Sequence, residues 1–254
     1  MGAALHWRHD HSEDEVMHGG DGREGGAVLH RAADPASLAV EVAQAVEAGL
    51  RQALAERGQA TLIVSGGSTP VPMWQHLSQA QLDWTQVTIT LADERWVPVD
   101  DPASNEGLVR RHLLRNEAAW ARWVPLYNGK ATPQEAQPAV EARMSTIQWP
   151  ADVVVLGMGG DGHTASWFPG RVMDAGWQAH CAAVDTPLAP NVAVPRMTLT
   201  PRTLLDARHM LLHLTGADKE PVLARALTPG NAVELPVRRA LHESKATCHV
   251  YFAP

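Results

Sequence analysis

The strongest chemical signal in the sequence is a glycine-rich segment, residues 157–163, in which Asp161 stands two positions before His163. Histidine is the side chain best suited to take and return a proton near neutral pH, and a nearby carboxylate can orient its ring. Gly159 and its neighbouring glycines let backbone donors approach a ligand closely. The pattern favours an acid–base site, although a histidine that only caps a short helix is the simpler interpretation.

A second segment, residues 65–70, combines two glycines with three hydroxyl side chains. Exposed backbone N–H groups at the start of a helix, together with hydroxyls, suit a phosphate group, whereas the simpler interpretation is an empty tight turn. Thr69 is expected to cap the following helix and Pro70 to occupy its first turn. The residues expected to contact the ligand are Ser65, Gly66, Gly67, Ser68 and Thr69.

Two other motifs overlap these segments, but each lacks a feature that its function requires. Residues 66–70 nearly spell the G-x-S-x-G nucleophile elbow, but Pro70 replaces the second glycine, which argues against Ser68 as a nucleophile. Residues 157–162 match G-x-G-x-x-G, but Pro169 arrives too soon for the long helix that a dinucleotide site requires. Neither a serine hydrolase nor a nucleotide site is therefore favoured.

Three cations lie where predicted strands or helices end or begin. Arg95 could serve a phosphate or a developing oxyanion, or be neutralised by its neighbours Asp93 and Glu94 in a structural network. Arg196 and Lys219 are individually ordinary surface charges. Together the three supply the local positive field that a chain of net charge −7 needs to hold a phosphate dianion.

The elements that must position these residues alternate between strand-like and helix-like patterns. Asp34 and Gly58 bracket a first amphipathic helix, and Ser104 is expected to cap another. Strands are predicted at 61–64, 87–91, 152–156, 210–214 and 249–252, and further helices at 73–77, 106–114, 134–147 and 219–227. This order predicts a doubly wound, mainly parallel sheet that gathers the chemical segments at the carboxyl ends of its strands.

Composition limits the remaining possibilities. Residues 1–26 are predicted to form a disordered tail and residues 27–254 a single α/β domain, with 45% hydrophobic residues to build its core. The negative net charge argues against nucleic acid or an anionic membrane as a partner. Cys181 and Cys248 are expected to be buried thiols, and no apolar run approaches the ~20 residues that span a bilayer, so a cytoplasmic protein is expected.

Five motifs in register resemble the family of 6-phosphogluconolactonases and glucosamine-6-phosphate isomerases, from about residue 28 to the end. They are residues 65–70 (SGGSTP), 93–98 (DERWVP), 104–105 (SN), 157–170 (GMGGDGHTASWFPG) and 196–200 (RMTLT). Trp167, where a smaller aliphatic residue is more usual, puts the shape of the pocket in doubt, and the segment before residue 28 has no counterpart.

The resemblance implies a Rossmann-like fold with helices on both faces and hydrolysis of 6-phospho-D-glucono-1,5-lactone. It implies no metal or organic cofactor and a small-molecule substrate, and it leaves a monomer or a small homo-oligomer open. By position, residues 65–69, Arg196 and Lys219 would serve the phosphate, His163 the reaction, and Arg95 either, with Asp161 expected from the residues themselves to orient the His163 ring. The deaminase branch of the family needs a further carboxylate near His163, and residues 164–170 contain none. A sugar-phosphate sensor without turnover is the alternative from a different class.

Overall fold

Strands and helices alternate along most of the chain. The computed structural model describes residues 15–17, 26–171, 178–185 and 194–254. Within these ranges the strands are β1 (Glu15–Met17), β2 (Ala27–Arg31), β3 (Ala60–Val64), β4 (Val87–Leu91), β5 (Asp93–Arg95), β6 (Arg122–Trp123), β7 (Val153–Leu156), β8 (Cys181–Val184), β9 (Arg196–Leu199), β10 (His209–Thr215) and β11 (Cys248–Ala253). The α-helices are α1 (Pro35–Arg57), α2 (Val71–Leu77), α3 (Asn105–His112), α4 (Pro133–Met144), α5 (Pro201–Leu204), α6 (Glu220–Leu227) and α7 (Arg238–His242).

The main sheet has the order β1–β2–β11–β10–β7–β3–β4–β6 among the described residues and is parallel except for the pair β1–β2. Every residue of β3 and β7 is buried, so both faces of the sheet are covered at its centre. This arrangement confirms the predicted doubly wound, mainly parallel sheet. Among the described helices, none combines the length and the apolar character needed to cross a bilayer.

The direction of winding reverses between β3 and β7. From β3 the chain proceeds through β4 to β6 at one edge, whereas β7, β10 and β11 proceed towards the other. Because β3 and β7 are adjacent and parallel, the segments that follow them leave the same end of the sheet side by side. The backbone N–H of Ser65 donates to the carbonyl of Val155 at 3.1 Å, which fixes the two segments against each other. Such reversal points are where sheets of this kind bind ligands.

A second, antiparallel sheet has the order β5–β9–β8. β9 begins at Arg196, in agreement with the expectation that this cation lies at the end of a short strand. β5 was not predicted, because its three residues are all charged. In β5 the buried Glu94 carboxylate accepts hydrogen bonds from the backbone N–H groups of Asn105 at 2.8 Å and Glu106 at 2.7 Å. Glu94 therefore caps α3 rather than neutralising Arg95, which corrects that interpretation.

Helix boundaries follow the predicted caps at three of four positions. Asp34 accepts N–H bonds at the start of α1, Gly58 ends α1 with a φ of 72°, and Ser104 accepts from the N–H of Gly107 at the start of α3. The predicted cap at Thr69 is wrong, because α2 begins only at Val71 and the Thr69 hydroxyl bonds elsewhere.

Two further predictions concern the amino terminus and the cysteines. β1 lies inside the predicted disordered tail, where its backbone pairs with β2; the other residues before 26 lie outside the described part of the chain. Cys181 and Cys248 are buried free thiols, as predicted, and burial raises the pKa of Cys248 to about 12.

Candidate active site

A cavity of about 280 Å³ opens at the carboxyl ends of β3, β7 and β10. It brings together every side chain or glycine assigned to the site from sequence except Asp161, which lies behind His163. The predicted residues that line it are Ser65, Gly66, Gly67, Ser68, Thr69, Arg95, Gly159, His163, Arg196 and Lys219. In the described part of the chain, no group of three or more His, Cys, Asp or Glu side chains is placed to hold a metal ion.

The histidine loop, residues 157–163, holds an imidazole and a carboxylate together. Oδ1 of Asp161 lies 2.6 Å from Nδ1 of His163 and accepts the backbone N–H of the same residue at 3.0 Å. The hydrogen bond from the His163 ring lowers the pKa of Asp161 to about 2, so this carboxyl group is ionised at neutral pH. Because a carboxylate only accepts, Nδ1 carries the proton and Nε2 presents its lone pair. This is the tautomer that a general base requires.

Glycines give the histidine loop its shape. A Cβ at Gly159 would lie 2.1 Å from Nδ1 of His163, so a side chain at this position would displace the ring. Gly162 has a φ of 84° and donates its N–H to the carbonyl of Gly159, which closes the turn. Residues 163–171, all described, contain no helix, in agreement with the argument against a dinucleotide site.

The serine loop, residues 65–69, is anchored at both ends. Oγ1 of Thr69 lies 3.2 Å from Oγ1 of Thr215 at the end of β10, which explains why Thr69 does not cap α2. Gly66 packs directly on Asn105, since a Cβ there would lie 1.9 Å from Oδ1 of that side chain. The buried hydroxyl of Ser65 has no hydrogen-bond partner within the described residues. The loop therefore holds one unpaired polar group, the Ser65 hydroxyl, in the wall of the cavity.

Two arginines lie side by side on the small sheet. The antiparallel register places Arg95 directly opposite Arg196. Nη1 of Arg95 donates to the carbonyl of Ala103 at 2.8 Å, and Nη1 of Arg196 lies 3.5 Å from Oδ2 of Asp93. Burial lowers the pKa of Arg196, but a guanidinium stays charged at neutral pH. Like charges directly opposite are unfavourable in a sheet, so this pair suits a shared anion.

Asp93 and Phe168 connect the arginine pair to the histidine loop. The sequence suggested that Asp93 neutralises Arg95, but in the structure it accepts a 2.6 Å hydrogen bond from the Ser166 hydroxyl and pairs with Arg196. The buried ring of Phe168 lies 4.9 Å from the ring of His163 and 5.6 Å from the guanidinium carbon of Arg196. Sequence reasoning assigned neither residue to the site, although both stand in the quoted motifs.

Trp167 does not line the cavity. Its indole is fully buried and donates to the carbonyl of Leu199 at 3.0 Å. The unusual residue at this position is therefore not part of the cavity wall. His213, in contrast, lines the cavity and was missed, although a single histidine inside the apolar run of β10 was a visible signal.

These features define an α/β protein with an acid–base pair and a cationic cavity at the reversal point of its sheet. The chain belongs to the family described as glucosamine-6-phosphate isomerases/6-phosphogluconolactonase, whose model matches residues 33–249. It is 43% identical to the 6-phosphogluconolactonase of Rhizobium meliloti, over 90% of this chain and 99% of that protein. The identity to the Pseudomonas aeruginosa 6-phosphogluconolactonase is 44%, over 84% and 89% of the two chains. A 6-phosphogluconolactonase structure from Shewanella baltica superposes with a TM-score of 0.84 at 38% identity, covering 92% of this chain and all of the other.

Proposed function

We propose that this chain hydrolyses 6-phospho-D-glucono-1,5-lactone to 6-phospho-D-gluconate, the second step of the oxidative pentose phosphate pathway. Relatives at 43% and 44% identity carry the name of this enzyme. The structural observation that carries the proposal is that His163, held by Asp161, lines the same cavity as the serine loop and the arginine pair. A base at one place and an anion site at another are what hydrolysis of a phosphorylated lactone requires.

The phosphate is proposed to bind between the serine loop and the cations. Two guanidiniums placed side by side carry an excess of positive charge that a dianion offsets, which favours the phosphate over the oxyanion as the ligand of Arg95. Arg196 forms an ion pair with Asp93. Lys219 lines the cavity beside the histidine loop, and its Nζ lies 3.7 Å from the position that a Cβ of Gly160 would take. These contacts hold a group that does not react, so they serve affinity.

The proposed reaction is addition of water followed by ring opening. Nε2 of His163 takes a proton from water as the water oxygen bonds to C1 of the lactone, and Asp161 stabilises the resulting imidazolium. The tetrahedral intermediate then collapses, the bond between C1 and the ring oxygen breaks, and the imidazolium returns its proton to that oxygen. The product is the open-chain acid, and no covalent enzyme intermediate and no cofactor takes part in this scheme.

The proposal also covers the cellular compartment and the partners of the protein. We place it in the cytoplasm, because two free buried thiols suit a reducing compartment. The small-molecule lactone is the proposed partner, with the protein acting as a monomer or small homo-oligomer and without nucleic acid or membrane.

The test is turnover of freshly prepared lactone by the purified full chain, with spontaneous opening subtracted. We expect strong acceleration by the wild type and its loss in His163→Ala. A parallel incubation with glucosamine 6-phosphate, assayed for ammonia, tests the isomerase branch of the family. Ammonia release without lactone hydrolysis would overturn the proposal, and so would binding of 6-phosphogluconate without any acceleration, which is the behaviour of a sensor.

A further inference from the structure

His213 is a buried polar side chain in the cavity wall that the proposed reaction does not use. It lies near the middle of β10 with 3% of its surface exposed, and neither ring nitrogen has a hydrogen-bond partner within the described residues. A buried polar group without a partner is costly, and native structures explain such groups by water, an ion or a ligand. Because His213 lines the cavity, its partner is expected to come from there.

The strand geometry places His213 on the face of the sheet where Thr215 contacts the serine loop. Side chains two residues apart in a strand share one face of the sheet, so His213 lies on the face of Thr215, whose hydroxyl bonds Thr69. Gly157, the first residue after β7, lies beside His213, one step beyond the pair Leu212–Leu156. A Cβ at Gly157 would meet no atom within 4 Å, so open space adjoins this part of the strand.

The unpaired hydroxyl of Ser65 is a second observation in the same cavity. It is buried, it has no partner in the described part of the chain, and it lines the same cavity as His213. Two unpaired polar groups, one on the serine loop and one on β10, therefore border a single cavity, which suits a hydrogen-bonding ligand.

The charge state of His213 limits what it can do. Burial lowers its pKa to about 4, so the ring is neutral at physiological pH and offers one N–H donor and one acceptor. A neutral donor adds a directed hydrogen bond to an anion site whose charge the arginines and Lys219 already supply.

We propose that His213 donates a hydrogen bond to the phosphate group of the bound substrate, at the deep end of the serine loop. This inference rests on the proposed function, since it takes the ligand of that loop to be a sugar phosphate. His213 acts in binding and not in the chemical step.

His213→Leu removes the donor and introduces an apolar side chain of similar size. We expect about a tenfold rise in KM for the phosphorylated lactone, with kcat within about twofold, as for a contact made equally in ground and transition states. The inhibition constant of inorganic phosphate should rise by a similar factor, whereas kcat/KM for unphosphorylated glucono-1,5-lactone should not change. His213→Gln, which retains an N–H of similar reach, should recover part of the affinity.

His209→Leu is the matched control, because it removes a histidine from the same strand and the same face at the end remote from the cavity. It should leave KM and phosphate inhibition unchanged. A folded His213→Leu variant with unchanged KM and unchanged phosphate inhibition would overturn the inference.

A measurement on the wild type does not depend on the variant's folding. With 15N-labelled histidine, addition of inorganic phosphate should shift the NMR signals of the His213 ring nitrogens. Signals that do not move would contradict the proposed hydrogen bond between His213 and phosphate. Failure of the proposed function is distinguishable from failure of this inference. If the wild type does not hydrolyse the lactone, the proposed function is overturned. If phosphate nevertheless shifts the His213 signals, the contact between His213 and phosphate is still supported.

Discussion

Replacing Gly159 by alanine tests whether the position of the His163 ring governs turnover. A Cβ at this position would lie 2.1 Å from Nδ1 of His163, whereas ordinary contacts begin at 3.4 Å, so the ring must move by about 1.3 Å. Oδ1 of Asp161 lies 2.8 Å from the same point and must move as well. Gly159 is not among the residues with positive φ, so alanine adds a clash without backbone strain.

A misplacement of about 1 Å can reduce the rate of an enzyme by about 10²-fold. We therefore expect kcat of Gly159→Ala to fall by about 10²-fold, with KM within about threefold of wild type because the phosphate contacts lie on other segments. The assay is turnover of fresh lactone, with a denaturant titration to confirm that the variant is folded.

Gly160→Ala is the matched control in the same loop. A Cβ at Gly160 would meet only Nζ of Lys219, at an ordinary 3.7 Å, so turnover should stay within about twofold of wild type. If Gly159→Ala is folded and turns over lactone as fast as Gly160→Ala, the ring position does not limit the reaction and the assignment of His163 as the base is refuted.

Three further predictions concern single side chains. His163→Ala should lower kcat by about 10²–10⁴-fold with little change in the affinity for 6-phosphogluconate measured by calorimetry, and near-normal turnover would exclude it as the base. Arg196→Leu should mainly raise KM, and a loss of kcat at unchanged KM would place this cation at the reacting carbonyl instead. Burial raises the pKa of Glu94 from 4.5 to about 7, so between these values the folded state holds a proton that the unfolded chain has released, and the free energy of unfolding should decrease with rising pH. Denaturant titrations between these pH values should show that the free energy of unfolding of Glu94→Gln depends less on pH than that of the wild type. An equal pH dependence would contradict the raised pKa of Glu94.

The central sheet was predictable because buried parallel strands appear in sequence as continuous apolar runs. β4 lies at the predicted residues, and the ends of the other predicted main-sheet strands differ from the prediction by at most one residue. α1 was equally clear, since Asp34 and Gly58 mark both ends. The family, and with it the predicted lactonase function, is confirmed by the family model and the curated relatives.

The small sheet and the finer contacts of the site were not predictable in the same way. β5 forms from three charged residues because Asp93 and Glu94 find partners that are distant in sequence, Ser166 for the first and α3 for the second. The same long-range pairing took the Thr69 hydroxyl to Thr215 instead of to α2. The site segments were predicted to gather at the carboxyl ends of the strands, and every predicted site residue except Asp161 lines one cavity, but the roles proposed for them stay predictions.

The side-by-side placement of Arg95 and Arg196 links the choice of buffer to both the stability and the measured activity of the purified protein. A dianion that settles between the two guanidiniums binds only the folded chain, and at a hundredfold excess over its dissociation constant it adds about 2.7 kcal/mol to stability. Storage in phosphate should therefore raise the melting temperature, while the same ion occupies the place of the substrate and slows the assay. Preparations that keep best in phosphate would then look least active until they are desalted.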